Sequence, residues 1–388
     1  MIRRQITDEL LESAKEYPVV TLFGPRQSGK TTLAQMTFPQ KTYYSLEEPD
    51  TRLAAETDPR GFLNNVPEGA ILDEIQRAPQ LLSYIQGIVD KTNKPGMFLL
   101  TGSHQPELHQ SVSQTLAGRT AVLTLLPFSL NELKNYKSEW DPFDIISQGA
   151  YPRIHNEGLK PRRFFNGYVQ TYIERDVRAL INLKELRTFQ QFFILLAGRV
   201  GQIVNYSALA NDVGVSATTI KNWISVLKAS FVVFELSPFH ENIRKRVVKS
   251  PKLYFTDVGL AAFLLNIETS DQAARDPLRG GLYENLILQE VLKESLNKGD
   301  RPDIFFFRDT LGNEVDLIIR KGRTVIPIEI KSAETFSADF LKGINRFRKL
   351  VKAKSTAGCV LYNGRDDYTL KETQIFNPMI HGFSSLVS

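Results

Sequence analysis

The chain has 388 residues, 42% hydrophobic and 23% charged, so it reads as an ordinary globular protein with about two to four separately cored domains. A net charge of +5 permits a nucleic-acid partner without demanding one. The single cysteine, Cys359, excludes an intrachain disulfide framework and a cysteine-based zinc site, and no apolar run of about 20 residues offers a helical membrane span. Met1-Ile-Arg-Arg-Gln5 is not followed by the apolar stretch of a secretory signal, so a cytoplasmic protein with no membrane partner is expected.

Ile6, Leu10, Leu11 and Ala14 recur at helical spacing and predict a leading helix over residues 1–17. Arg3 and Arg4 at its start read as contacts to a phosphate or nucleic acid, or more simply as a solvated helix start. Pro18 to Phe23 is short, apolar and β-branched, the mark of a buried strand. Gly24-Pro-Arg-Gln-Ser-Gly-Lys-Thr31 then fits G-x-x-x-x-G-K-[ST], and Thr32-Leu-Ala-Gln-Met36 begins a helix. Backbone N–H groups of Gly24, Pro25, Arg26, Gln27, Ser28 and Gly29, proline excepted, would turn inward around phosphates at the positive end of that helix. Lys30 would reach the β and γ phosphates, and the Thr31 hydroxyl would bind Mg²⁺. Thr32 closes the stretch by setting the helix start, with no ligand assigned to it.

Lys41 to Leu46 predicts a second strand, and Glu47 to Arg52 turns into a helix. Gly69 to Glu74 predicts a buried strand that delivers paired acids to its C-terminal end, where ligands sit in an α/β sheet. Asp73 would hold Mg²⁺ through water, and Glu74 would polarise the attacking water. A helix with Leu81, Leu82, Ile85 and Ile88 follows. The strand Gly96 to Ser103 ends in hydroxyls, so Thr101 or Ser103 would sense the γ-phosphate or the water, or cap the next helix. Arg119 precedes a strand at Ala121 to Leu125. It reads as a finger on the transferring phosphate, in cis or in trans within a homo-oligomer, or as the partner of a local acid. Ser129 and Glu132 predict a capping box.

The phosphate loop, Leu72-Asp-Glu-Ile-Gln76, Leu100-Thr-Gly-Ser103, Leu116-Ala-Gly-Arg119 and Pro127-Phe-Ser-Leu-Asn-Glu-Leu133 together resemble a prokaryotic ATPase family of the AAA+ superfamily. The resemblance runs over nearly the whole chain. It implies ATP and Mg²⁺ as cofactors and an ATPase core followed by a winged-helix segment and a C-terminal domain of uncharacterised function.

Trp140 to Pro152 breaks the α/β rhythm, and its Gly149 to Pro152 junction is assigned no chemistry. Arg162 to Leu183 predicts a helical lid, in which Arg175 is a second phosphate-sensing arginine or pairs with Glu174 and Asp176. Tyr206 to Val213, a turn capped by Ser216, and Thr218 to Leu227 form a helix-turn-helix pattern. It would present Thr218, Thr219, Lys221, Asn222 and Ser225 outward. Strands at Phe231 to Leu236 and Val247 to Tyr254 would form a wing carrying Arg244, Lys245, Arg246, Lys249 and Lys252. Duplex DNA is the expected partner, and a protein partner held by the same elements is the alternative.

The stretch Glu268 to Gly281 reads as a surface loop, and Leu282 to Leu292 as an amphipathic helix carrying Glu284. Strands at Asp303 to Arg308, Asn313 to Arg320 and Thr324 to Lys331, a helix at Asp339 to Lys349 and a strand at Ala357 to Tyr362 follow. Asp316 and then Glu329-x-Lys331, with Glu284 upstream, resemble the PD-(D/E)xK nuclease superfamily. Glu329 and Lys331 are two apart on a strand and face the same way. Asp316, Glu329 and Glu284 would bind Mg²⁺ or Mn²⁺, and Lys331 would orient water. The plainer alternative is a Glu–Lys ion pair on a solvated strand face.

The expected architecture is therefore α/β. An AAA+-like P-loop ATPase core spans 1–135, a helical lid and linker 136–200, a winged helix 201–256, and a restriction-endonuclease-like domain 257–388. The expected function is Mg²⁺-dependent ATP hydrolysis coupled to a DNA-directed module with metal-dependent phosphodiester cleavage. The alternative is a nucleotide-dependent DNA- or protein-binding assembly or sensing protein with no nuclease activity.

Overall fold

Val19-Val-Thr-Leu-Phe-Gly24 is buried at every position and forms β1, an interior strand of a parallel sheet. In this computed structural model the sheet order is β2-β3-β4-β1-β5, with β2 at Thr42–Ser45, β3 at Ala70–Asp73, β4 at Phe98–Ser103 and β5 at Thr120–Thr124. The structure describes the chain except residues 104–111, 113, 136, 138, 174–185, 240–248, 352–354, 356, 384–385 and 387–388. All pairings in this sheet are parallel, so Gly24, Asp73 and Ser103 end their strands on one edge.

Apolar helices cover both faces, as buried parallel strands require. On one face Ile6, Leu10, Leu33 and Ala34 pack against Leu22, Leu99 and Leu123, which seats the helices Thr7–Glu16 and Lys30–Thr37. On the other, Leu81, Leu82 and Ile85 of the helix Leu81–Thr92 pack against Phe23, Leu72 and Leu100. Gly69 must be glycine: its φ is +85°, and a Cβ there would lie 1.9 Å from Met97 O.

Two compact units divide the chain. One holds Met1–Phe128, Ala229–Phe231 and Ser295–Asp300, and the other Ser129–Lys228, Val232–Glu294 and Arg301–Ser388. The second is built on an eight-stranded mixed sheet ordered β12-β13-β11-β10-β9-β8-β6-β7. Its strands are β6 Val233–Pro238, β7 Lys252–Phe255, β8 Ile304–Arg308, β9 Glu314–Lys321, β10 Thr324–Lys331, β11 Cys359–Tyr362, β12 Tyr368–Leu370 and β13 Thr373–Phe376. The hairpin expected as a wing is β6 with β7. Its first strand continues through Ser237 and Pro238 alongside β8, so wing and C-terminal strands share one sheet.

The helix-turn-helix forms as Tyr206–Val213 and Ala217–Ala229. Gly214 ends the first helix in the left-handed region, and Ser216 Oγ accepts from the Thr219 N–H to start the second. Ile220, Trp223, Ile224 and Leu227 point inward. Ser129 and Glu132 make the expected capping box.

The stretch expected as a loop at Glu268 to Gly281 instead holds the helix Ser270–Arg275, started by a Thr269–Gln272 capping box. The amphipathic helix runs longer than expected, Arg279–Asn297, and is buried with polar side chains inside. Those side chains satisfy backbone groups that no ladder reaches. Asn285 bonds Phe255 N–H and C=O, Gln289 accepts from the Val258 N–H, and Glu290 from the Leu130 N–H. The Gly149–Pro152 junction is anchored similarly. Asp257 accepts from the Ala150 N–H, and a Cβ on Gly149 would lie 2.5 Å from the same carboxylate.

The expected lid begins as the helix Pro161–Tyr168 and a π-helical turn Val169–Ile173. Glu174, Arg175 and Asp176, like Arg244, Lys245 and Arg246, lie outside the described residues. Among the described residues no helix is long and apolar enough to cross a membrane.

Candidate functional site

The loop between β1 and the helix Lys30–Thr37 is built by local backbone conformation. Gly29 sits before the helix at φ +92° and Gln27 at φ +62°. Successive N–H groups in such left-handed turns face one concavity, which suits an anion. Ser28 Oγ and Gln27 Oε1 are buried without a hydrogen-bond partner among the described residues, as expected of a loop shaped for something other than protein. Lys30 is buried and donates to Gly24 O at 3.1 Å and Pro25 O at 2.8 Å. Burial pulls its ammonium below the ordinary pKa, against the charges of Glu74 and Asp73.

Thr31 Oγ1 donates to both Asp73 oxygens, at 3.0 and 2.9 Å. The motif's hydroxyl and the strand-end carboxylate thus meet at the same edge, and this donor pair fits Mg²⁺, a hard cation that takes few protein oxygens. Asp73 also accepts from Thr101 Oγ1 and, at 3.0 Å, from the Tyr43 hydroxyl. Burial first, then the Asp73 charge, drives the Tyr43 phenol well above its ordinary pKa. Glu74 lies just past β3 at φ +57°, a left-handed position for a non-glycine residue. Its carboxylate accepts from Ser103 Oγ at 3.0 and 3.2 Å and from Gln76 Nε2. Thr101 and Ser103, offered as alternatives by the sequence, therefore serve different carboxylates.

Arg4 is not a solvated helix start. It is buried, donates to Ser28 O at 2.7 Å and Leu126 O at 2.6 Å, and lies over the Phe128 ring. It clamps the phosphate loop to the chain just after β5. Arg3 is exposed and pairs with Asp8. No local pattern distinguished the two arginines.

Arg119 stands at the start of β5, where its carbonyl accepts from the Val19 N–H. That is the edge opposite the phosphate loop, so it does not reach this chain's own nucleotide site. Its guanidinium pairs with Asp90 through both Nε and Nη2, the local acid foreseen as the alternative.

In the second unit Glu284, Asp316, Glu329 and Lys331 gather as the sequence expected, but with cations among them. Lys331 Nζ lies 2.7 Å from Glu329 and 3.2 Å from Asp316, which also accepts from the Ile330 N–H at 2.8 Å. Lys252, expected in the basic run of the wing, is buried and pairs with Glu284 at 3.0 Å and with Glu314. Tyr254 also donates to Glu284. Burial pushes Glu284 up to about 7 against the pull of Lys252. It pushes Glu329 up to about 8, helped by the Asp316 charge. Among the described residues no three His, Cys, Asp or Glu side chains are arranged to hold a metal. The donor set does not fit the Mg²⁺ or Mn²⁺ expected there, because Lys331 occupies Glu329 and Asp316 while Lys252 occupies Glu284 and Glu314, so every carboxylate already has an ammonium partner.

An open cleft of about 1110 Å³ borders the helix-turn-helix, lined among others by Asn205, Tyr206, Lys221, Arg308 and Thr310. Lys221 lies over the Tyr206 ring, and Arg308 pairs with Glu314.

Residues 16–134 match a family model described as an AAA domain. Residues 140–271 and 279–380 match two models, each described as a domain of unknown function. An uncharacterised protein of Mycobacterium tuberculosis is 29% identical over 386 residues, covering 97% of this chain and 83% of that protein. One from Methanocaldococcus jannaschii is 26% identical over 400 residues, covering 89% and 82%. Among solved structures, a Walker-type ATPase of Pyrococcus abyssi is 16% identical at a TM-score of 0.45, covering 68% of this chain and 95% of that one. The Thermotoga maritima RuvB Holliday junction branch migration motor is 20% identical at 0.30, covering 60% and 89%. The matched segment holds β1, its glycine loop and the Asp73 strand end, so over residues 16–134 the sequence match and the P-loop architecture agree on an AAA-like domain.

Proposed function

We propose that the protein is a nucleotide-dependent switch. It binds and hydrolyses ATP with Mg²⁺ in its first unit and uses that cycle to control a DNA- or protein-binding surface in its second, without cutting nucleic acid. The observation that carries this reading is the meeting of Thr31 and Asp73 at the sheet edge beside Lys30.

In this reading the loop N–H groups and Lys30 bind the phosphates and spread the charge that develops on the γ-phosphoryl group. Bound Mg²⁺ would be held by Thr31 and Asp73 and would supply neutralisation of phosphate charge. Glu74 would orient the attacking water and accept its proton, with Ser103 fixing the carboxylate. Water adds to the γ-phosphorus, the bond to the bridging oxygen breaks, and ADP and phosphate leave. Arg119 would act, if on phosphate at all, in trans on a second copy. The helix-turn-helix with Lys221 supports duplex DNA as the first partner to test. The lysine-paired cluster around Glu284, Asp316 and Glu329 favours a binding role over cleavage.

The test is ATP turnover with Mg²⁺, with and without linear and supercoiled duplex DNA, scoring the same DNA for breaks. Expected are turnover in the wild type, its loss in Lys30→Ala and Glu74→Gln, a rate altered by DNA, and intact DNA. Turnover that survives Lys30→Ala would sink the site assignment. Breaks that vanish in Asp316→Ala would establish cleavage and overturn the non-nuclease part. A rate indifferent to DNA would move the partner to protein.

A further inference from the structure

Asp73 is held by hydroxyls from three different elements. Thr31 comes from the phosphate-loop helix, Thr101 from β4 and Tyr43 from β2. The first belongs to the phosphate-loop motif and the second lies near the end of the neighbouring strand. Tyr43 belongs to no motif and reaches Asp73 from a neighbouring strand. In the parallel β2–β3 pairing Tyr43 lies opposite Ile71, one pleat behind Asp73. Two strand residues span about 6.6 Å, a distance that a tyrosine covers and a shorter hydroxyl does not. Its half-buried ring packs on the core that includes Leu33 and Ile71, which supports the side chain on the way to Asp73.

We propose that Tyr43 is a positioning residue of the nucleotide site, holding the Asp73 carboxylate in the orientation that receives Mg²⁺. The inference rests on the nucleotide reading above. A carboxylate offers about four lone-pair directions, so one oxygen can accept from Tyr43 and still face a cation. If Thr31 turns its oxygen to the metal, Tyr43 and Thr101 are the groups left to keep Asp73 from rotating. Thr101 also accepts from the Glu74 N–H and so touches both acids, while the Tyr43 hydroxyl donates to Asp73 and also bonds the Ser45 side chain. Outer partners of this kind set metal affinity, and losing one costs about 10–100-fold.

The test uses the full-length protein and a fluorescent, non-hydrolysable ATP analogue, titrated with Mg²⁺. Tyr43→Phe removes one oxygen and keeps the ring, so its melting temperature should stay near that of the wild type. The expected result is unchanged affinity for the metal-free analogue. The Mg²⁺ concentration at half-maximal enhancement of binding should rise about tenfold. Mn²⁺ retained with the analogue, counted by electron paramagnetic resonance, should fall in parallel. Coincident Mg²⁺ titrations for Tyr43→Phe and wild type would overturn the proposal. If instead the wild type binds the analogue no better with Mg²⁺ than without, or Lys30→Ala binds it equally well, the nucleotide reading itself fails and takes the proposal with it.

Discussion

Lys252 Nζ lies 3.0 Å from Glu284 Oε1, with side-chain exposures of 3% and 14%. The lysine opens β7, the glutamate comes from the helix Arg279–Asn297, and Glu314 of β9 closes the group. A residue that reads as a wing cation is thus the internal counter-ion of the acidic cluster. Its ammonium lies 5.5 Å from the Phe306 ring centroid. Removing one member of a buried pair leaves the other charge uncompensated. Lys252→Met should therefore lower unfolding stability by about 3 kcal/mol, as read from denaturant melts at pH 8. Adding Glu284→Gln should restore part of the loss, and a double variant that is simply additive would refute the coupling.

Glu329 supplies a pH dependence. Burial, with the Asp316 charge, raises its carboxyl from the ordinary 4.5 to about 8, and its Oε2 has no hydrogen-bond partner among the described residues. A group whose folded pKa is raised contributes stability that is complete below the unfolded value and lost as pH climbs through the folded one. The melting temperature should decline between about pH 5 and pH 8. Glu329→Gln should flatten that slope, and an equal slope in the variant would show that another group carries it.

Arg4 makes the phosphate loop depend on a residue far from the motif. Its two donors hold Ser28 O and Leu126 O, and buried hydrogen bonds from a charged donor are worth about 1.5–3 kcal/mol each. Arg4→Ala should weaken nucleotide binding and lower the melting temperature. Arg4→Lys should rescue little, because one ammonium does not reproduce the two-armed geometry. Full rescue by lysine, measured by nucleotide titration, would mean that charge alone matters.

Arg119 and Asp90 form an exposed pair, so Arg119→Ala should leave the melting temperature nearly unchanged. If Arg119 acts on a second copy, turnover per chain should rise with protein concentration in the wild type and stay flat in the variant. The same concentration dependence in both would restrict Arg119 to its pairing with Asp90.

Cys359 is buried in β11, and burial pushes its thiol up to about 12. A thiol reagent at pH 8 should label the native chain slowly and the denatured chain at one site. Rapid native labelling would show that this strand opens locally.

The sequence by itself determined what depends on neighbours in the chain. Glycine conformations, the strand before and the helix after made the phosphate loop legible, and apolar residues ending in Asp73-Glu74 marked a strand end. The helix-turn-helix was legible for the same reason, since Gly214 and the Ser216 cap act within one turn. One short-range signal was missed, the Thr269–Gln272 capping box, because the flanking polarity resembled a loop. Tertiary structure alone decided which carboxylate each hydroxyl serves, which of Arg3 and Arg4 is buried, and that β6 joins β8 in one sheet. It also decided that Lys252 sits among the acids of the second unit, paired with Glu284 and Glu314. The difference has a physical cause. Local backbone preferences are written within a few adjacent residues, whereas side-chain pairing between elements is set by register and packing, which bring together residues tens of positions apart.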